Sequence, residues 1–257
     1  MEPRRKRTPI APETVGVRHA REMTTRPADA AGWPRLLLVA HGTRSSAGRR
    51  ELCRLLLETR KLLPGVDCRL AWVDVQAPAP DRVLADGVPT VVVPAFLARG
   101  YHVSEDVGGA CREAPGPVAL SDHLGTEPEV VRALVQRLAE AGGVGAFGAD
   151  AVVLGAAGSR DADSRAETGA LAERLAGALR VPVVPAFASA AEPTVAGAVA
   201  DLRAAGHRRV AVATHLLAPG FFADRLASAG ADVTSAPLGA HPEIVDLVVR
   251  RYRGKCG

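Results

Sequence analysis

From Arg35 onward the chain alternates short runs of Val, Leu and Ala with longer stretches in which apolar residues recur every three or four positions. The short runs predict strands at 36–40, 68–73, 89–94 and 117–120, and again at 151–155, 181–186, 209–213 and 231–234. Between them, "RRELCRLLLETRKLL" and "EVVRALVQRLAEA" have the spacing of amphipathic helices and end at Pro64-Gly65 and Gly142-Gly143, residues that stop a helix. Strand, helix, strand, helix in that order predicts an α/β protein with parallel sheets, whose ligands sit beyond the carboxyl ends of the strands.

The two halves of this pattern repeat in order. "LLLVAHGTRS" matches "AVVLGAAGSRD", "RLAWVDVQAPAPDRVL" matches "PVVPAFASAAEPTVAGAV", "VVVPAFLARGYHVSED" matches "VAVATHLLAPGFFADR", and "SDHLGTEPEVVRALVQRL" matches "SAPLGAHPEIVDLVVRRY". A tandem duplication of one α/β unit of about 105 residues accounts for this. It predicts two similar parallel-sheet domains, at 35–143 and 150–254, joined by a glycine-rich linker at 144–149. In that register His41 faces Ala157, Asp74 faces Ser189, and His102 faces Phe222.

Composition changes the picture mainly by exclusion. Residues 1–34 carry seven Lys/Arg against four Asp/Glu, which accounts for three of the chain's four net positive charges. This basic stretch is poor in bulky apolar residues and is expected to be a disordered tail. The remainder is nearly neutral and only 4% of the chain is aromatic, so neither a basic face nor a stacking platform for nucleic acid is present. No apolar run approaches the roughly 18–20 residues that span a bilayer, and the first thirty residues lack a secretory core, so a cytoplasmic protein without membrane partners is expected. Cys53, Cys68, Cys111 and Cys256 show neither a C-x-x-C pair nor finger spacing and are taken as ordinary thiols.

The candidate chemistry lies in the difference between the repeats. If His41, Asp74 and His102 were structural, both copies of the fold would need them, yet the second copy is built without any of the three. All three are expected just after strands of one sheet, where they could converge. Two neutral imidazoles and a carboxylate form a donor set suited to Fe²⁺, Co²⁺, Ni²⁺ or Zn²⁺. Three protein ligands leave positions open for water or an incoming donor, which suits catalysis or transfer rather than a structural site.

With "VAHGTR" around His41, "AWVDVQAPA" around Asp74, "VVVPAFLARGYHVSEDV" around His102 and "APLGAHPEIVDLVVRRY" near the end, the chain resembles the sirohydrochlorin chelatases of the class II chelatase fold. The resemblance runs from Arg35 to Tyr252. It implies two fused α/β domains flanking a tetrapyrrole cleft, with His41 and His102 binding the metal being inserted. It further implies a lyase of sirohaem or cobalamin biosynthesis, whose substrates are sirohydrochlorin and a divalent metal, Fe²⁺, Co²⁺ or Ni²⁺, and which holds no permanent cofactor. With both lobes in one chain, a monomer is expected. The family commonly has Glu where this chain has Asp74, whose shorter side chain reaches less far. Because sirohydrochlorin is a polycarboxylate, Arg44, Arg99 and Arg160 are the expected rim partners.

Other residues carry plainer expectations. His123 and His241 precede terminal helices, as capping or surface groups. Glu105 and Asp106 either orient His102 or serve a helix's first turn. Phe221 and Phe222 either line the tetrapyrrole or pack in the core, and His215 follows a strand within reach of the cleft. Two competing functions stand beside the chelatase. A histidine–glycine pair after a strand also occurs in phosphoglycerate-mutase-like enzymes, but those have Arg before the histidine, where Ala40 stands here. A metal or tetrapyrrole carrier or sensor on the same bilobal frame would use the same ligands without turnover.

Overall fold

In the computed structural model, which describes residues 32–98, 102–143 and 148–256 (the side chains of 102–104 excepted), the apolar runs form two four-stranded parallel sheets. β1 (Arg35–Ala40), β2 (Cys68–Trp72), β3 (Thr90–Pro94) and β4 (Val118–Leu120) lie in the order β2-β1-β3-β4. β5 (Ala151–Ala156), β6 (Val183–Phe187), β7 (Val210–His215) and β8 (Val233–Thr234) repeat it as β6-β5-β7-β8. The first half adds α1 (Ser46–Leu62), α2 (Pro80–Leu84), α3 (Gly108–Glu113) and α4 (Pro128–Glu140), with a π-helical turn at His102–Val107 leading into α3. The second adds α5 (Ala162–Leu179), α6 (Val195–Ala204), α7 (Phe221–Ala227) and α8 (Pro242–Arg253). Of the predicted tail, residues 1–31 lie outside the described residues, as do 144–147 of the predicted linker.

Local chemistry starts the helices where the pattern predicts them. Ser45 Oγ accepts the Gly48 amide (3.2 Å) at the head of α1, and the Asp161 carboxylate accepts the amides of Asp163 (2.8 Å) and Ser164 (3.3 Å) at the head of α5. α4 and α8 each open on a proline, whose missing amide costs nothing in the first turn.

Every residue of β1 is buried, because helices cover both faces of its sheet. The strand's two-residue period sorts the contacts. Leu37 and Val39 pack with Val83 and Leu84 of α2, whereas Leu36 and Leu38 join an interior core with Leu52 and Leu55 of α1. That interior core also takes in Val152 and Leu154 of β5 and Leu171 of α5, so one apolar cluster runs through both halves.

The terminal helix of each half makes this possible by packing on the other half. α4 lies against β7 and α5 of the second repeat, α8 lies against β3 and α1 of the first, and α4 and α8 touch each other. Leu134 and Leu138 of α4 and Leu247 of α8 are fully buried there. Each such leucine contributes about 1.5–3 kcal/mol of transfer free energy, which holds the exchanged arrangement. Tyr252 at the end of α8 is also fully buried and donates its hydroxyl to the Pro34 carbonyl (2.7 Å), tying the last helix to the start of the first strand. Beside it, Trp33 packs its ring 6.4 Å from that of Tyr252. β1 itself begins with Arg35, whose side chain is 2% exposed and is paired with Asp67 (3.0 Å) and Asp86 (2.7 Å), as a buried guanidinium must be.

Candidate functional site

His41 is the first residue beyond β1 and lies on the surface. Its backbone is held by the loop that follows β2: the Asp74 amide donates to the His41 carbonyl (3.0 Å), and the Thr43 amide donates to Gln76 Oε1 (2.8 Å) while the Gln76 side-chain amide returns a hydrogen bond to the Thr43 carbonyl. Gly42 lets the two loops touch. At φ +98° it is in a conformation that side-chain-bearing residues rarely adopt, and a Cβ there would overlap the Asp74 carbonyl oxygen. Asp74 is exposed, with Oδ1 accepting the amide of Val75 (2.7 Å), itself at φ +65°. The structure thus brings His41 and Asp74 onto two loops locked together through their backbones.

The second half repeats this lock with different side chains. Gly158, again at φ +98°, abuts the Ser189 carbonyl, the Ser189 amide donates to the Ala157 carbonyl (3.0 Å), and Ala190 stands at φ +61° in the place of Val75. Ala157 and Ser189 therefore occupy the positions of His41 and Asp74 on the same backbone. Since the loops form without an imidazole or a carboxylate, neither is needed for the fold.

His102 opens the π-helical turn that follows β3. Its side chain lies outside the described residues, and so does Arg99 entirely. Matching hydrogen bonds after β3 and β7 keep the repeat in step as far as Phe96 and Leu216. The Val92 carbonyl accepts the Ser121 amide as the Val212 carbonyl accepts that of Ser235, and Phe96 and Leu216 are matched likewise by Leu124 and Leu238. Counting on from Phe96 and Leu216 sets His102 against Phe222, in the first turn of α7. Of the expected rim arginines, Arg44 and Arg160 are exposed at matching positions after β1 and β5.

The carboxyl ends of the two sheets meet at these loops. A Cβ on Gly48, in the first turn of α1, would stand 2.5 Å from the Pro219 carbonyl oxygen, and one on Gly220 would lie 3.3 Å from Ser45 Cβ. The β7–α7 loop of the second half thus rests on the His41 loop of the first. Two further contacts cross the same boundary at equivalent points: Glu51 Oε1 accepts the Ala240 amide (2.8 Å), and Glu167 Oε2 meets His123 Nε2 (3.2 Å).

Several neighbouring residues depart from their sequence reading. His123 bridges the halves instead of capping α4, whose cap position is Glu127, whereas His241 does cap α8, Nδ1 accepting the Glu243 amide (3.2 Å). Glu105 is exposed, in the turn that leads from His102 into α3. Phe221 and Phe222 are surface residues, so core packing does not explain them. His215 is the last residue of β7, on the interior face it shares with Ala213 and the adjoining Ala156. It is 3% exposed, its Nε2 has no hydrogen-bond partner, and burial pushes its pKa down to about 4, so the ring is neutral. The sequence placed it after a strand and within reach of the cleft; it is instead the strand's last residue, turned into the interior at the place of Ala95 in the first half.

No curated protein sequence matches the chain. Among solved structures, SirB from Bacillus subtilis with Fe³⁺ superposes with a TM-score of 0.72 at 21% identity, covering 88% of this chain and 96% of that one. CbiX, described as the terminal enzyme for biosynthesis of siroheme in denitrifying bacteria, gives 0.65 at 18% identity over 87% and 100% of the two chains. DR2241 from Deinococcus radiodurans, a multi-domain protein similar to chelatases, gives 0.62 at 20% identity over 86% of this chain and 55% of its own. These likenesses establish the shared two-sheet fold. The CbiX family profile matches twice, at residues 35–141 and 151–255, once for each half of the duplication; the chain belongs to the CbiX family.

Proposed function

We propose that the protein is a sirohydrochlorin chelatase, inserting a divalent metal, Fe²⁺ or Co²⁺, into the metal-free tetrapyrrole. The observation that carries this reading is the asymmetry of the duplicated loops: one backbone lock, twice built, bears His41 and Asp74 in the first half and Ala157 and Ser189 in the second. Family membership supports the reaction class, and SirB, a structural neighbour, has been crystallised both with Fe³⁺ and with cobalt. Metallation exchanges two pyrrole protons for M²⁺, so the site must offer a partly dehydrated metal and accept protons. His41 and His102 hold the incoming metal through neutral imidazole nitrogens, which bind borderline divalent ions without adding charge. Asp74, exposed beside His41, supplies a carboxylate as third donor or proton acceptor. Arg44, Arg99 and Arg160 bind the carboxylates at the macrocycle's rim. The protein acts as a cytoplasmic monomer, both lobes of the site lying in one chain.

An anaerobic assay with sirohydrochlorin and each of Fe²⁺, Co²⁺ and Ni²⁺, followed by the visible spectrum, tests this. Metallated product should form faster than in buffer with at least Fe²⁺ or Co²⁺. Metal or ring bound stoichiometrically without acceleration would instead establish a carrier.

A further inference from the structure

The second half contributes something to the site other than bare wall. We infer that Phe221, Phe222 and Arg225 form the surface on which the tetrapyrrole macrocycle stacks, opposite the metal-binding loops. This rests on the chelatase reading above.

The observation is an aromatic pair held out of the core. Phe221 is 68% exposed and Phe222 36%, in a chain with only five phenylalanines. Their ring centroids are 5.5 Å apart at 63°, one edge against the other's face, and the guanidinium carbon of Arg225 lies 5.8 Å from the Phe221 centroid. Leu226 of the same helix is fully buried, so α7 is docked on its sheet and presents the two rings from a fixed base. Immediately before them, Pro219 and Gly220 rest on Gly48 and Ser45, at the loop that carries His41. The helix that carries the rings therefore starts at the meeting point of the two sheets' carboxyl ends. Phe222 also takes the position in the repeat that His102 takes in the first half. Duplication has placed a candidate metal donor on one side and an aromatic surface at the equivalent point of the other.

The occupant follows from size and charge. A buried phenyl ring removes about 150–250 Å² from water, so two rings fall short of the roughly 800 Å² per partner of a stable dimer. They suit a flat, apolar ligand. Arg225 beside them, exposed and held over the Phe221 face, adds a cation where a polycarboxylate macrocycle presents its side chains. A broad conjugated ring with anionic edges satisfies both requirements.

The test measures binding of metal-free sirohydrochlorin by quenching and Soret shift, and of Co²⁺ by titration, in wild type and in Phe221→Ala, Phe222→Ala, the double variant, Phe222→Trp and Arg225→Gln. Each Phe→Ala change should weaken tetrapyrrole binding about tenfold, with Phe222→Trp near wild type and Co²⁺ affinity kept within about twofold. Arg225→Gln should weaken binding and lessen its salt dependence. If wild type binds and metallates the ring and the Phe variants bind it equally well, the stacking surface is wrong while the chelatase reading stands. If the variants lose Co²⁺ as severely as the ring, the pair supports the metal loops and the inference fails. If wild type binds no tetrapyrrole, both readings fall together.

Discussion

A glycine decides where His41 stands. Gly42 is the residue that lets the β1 loop lie on the β2 loop, and Gly158 does the same in the second half. Replacing either by alanine forces a positive φ on a Cβ-bearing residue and a clash with a carbonyl oxygen, costing about 2–3 kcal/mol, or roughly 4–12 °C in melting temperature. The two variants should lose similar stability, while only Gly42→Ala should also lose metal affinity; calorimetry and Co²⁺ titration separate the effects. On the proposed function, His41→Ala and His102→Ala should each lower turnover by roughly two to four orders of magnitude with folding intact. Asp74→Ala should fall between these and wild type in the same assay. His215 gives a pH signature. Its folded pKa of about 4 lies below the ordinary 6.5 of a free imidazole. The unfolded chain therefore binds the extra proton first, and the stability that neutral His215 permits is complete above pH 6.5 and is lost as pH falls toward 4. His215→Gln should flatten that part of the denaturation-midpoint curve; an unchanged slope would show that the ring is not the group titrating. At this scale the sequence made the place of His41 just past β1 legible, because a histidine–glycine pair ended an apolar run. The backbone lock was not legible, since a positive φ at Val75 leaves no mark in composition.

The strands were legible to within two residues at each end. β1, predicted at 36–40, runs Arg35–Ala40, and β3, predicted at 89–94, runs Thr90–Pro94. The errors have physical causes. β7 continues two residues past the predicted end at 213 because its ladder with β5 pairs Ala156 with His215, and pairing outlasts the apolar signal. Periodicity also identified α4 as amphipathic, and the repeat set the α8 segment in register with it, but an apolar stripe says only that a helix is covered, not by which sheet. Their exchange between halves depends on the three-dimensional path of the chain. So does the bridge between His123 and Glu167, two residues 44 positions apart whose meeting no local pattern encodes.

For the whole molecule the shared interior predicts one unfolding event. Because α4 and α8 each complete the other half's sheet, neither 35–143 nor 150–254 carries its own full core. Heating the intact chain should give a single calorimetric transition with equal van't Hoff and calorimetric enthalpies. Each half expressed alone should be unfolded or self-associated, and mixing the two should restore a folded complex of one copy of each. Two resolved transitions, or two stable monomeric halves, would contradict the shared core.

The helix exchange has a further consequence, for how such a chain can change over generations. A unit whose sheet is finished by a neighbour's helix works only in pairs, and in a pair of identical chains every substitution is made twice, on both sides of the symmetry axis. Joining the copies in one gene removes that coupling. His41 against Ala157, Asp74 against Ser189, and His102 against Phe222 are three places where the two sides have diverged. On the proposed function, each trades twofold symmetry for a division of labour that an assembly of identical subunits could not adopt.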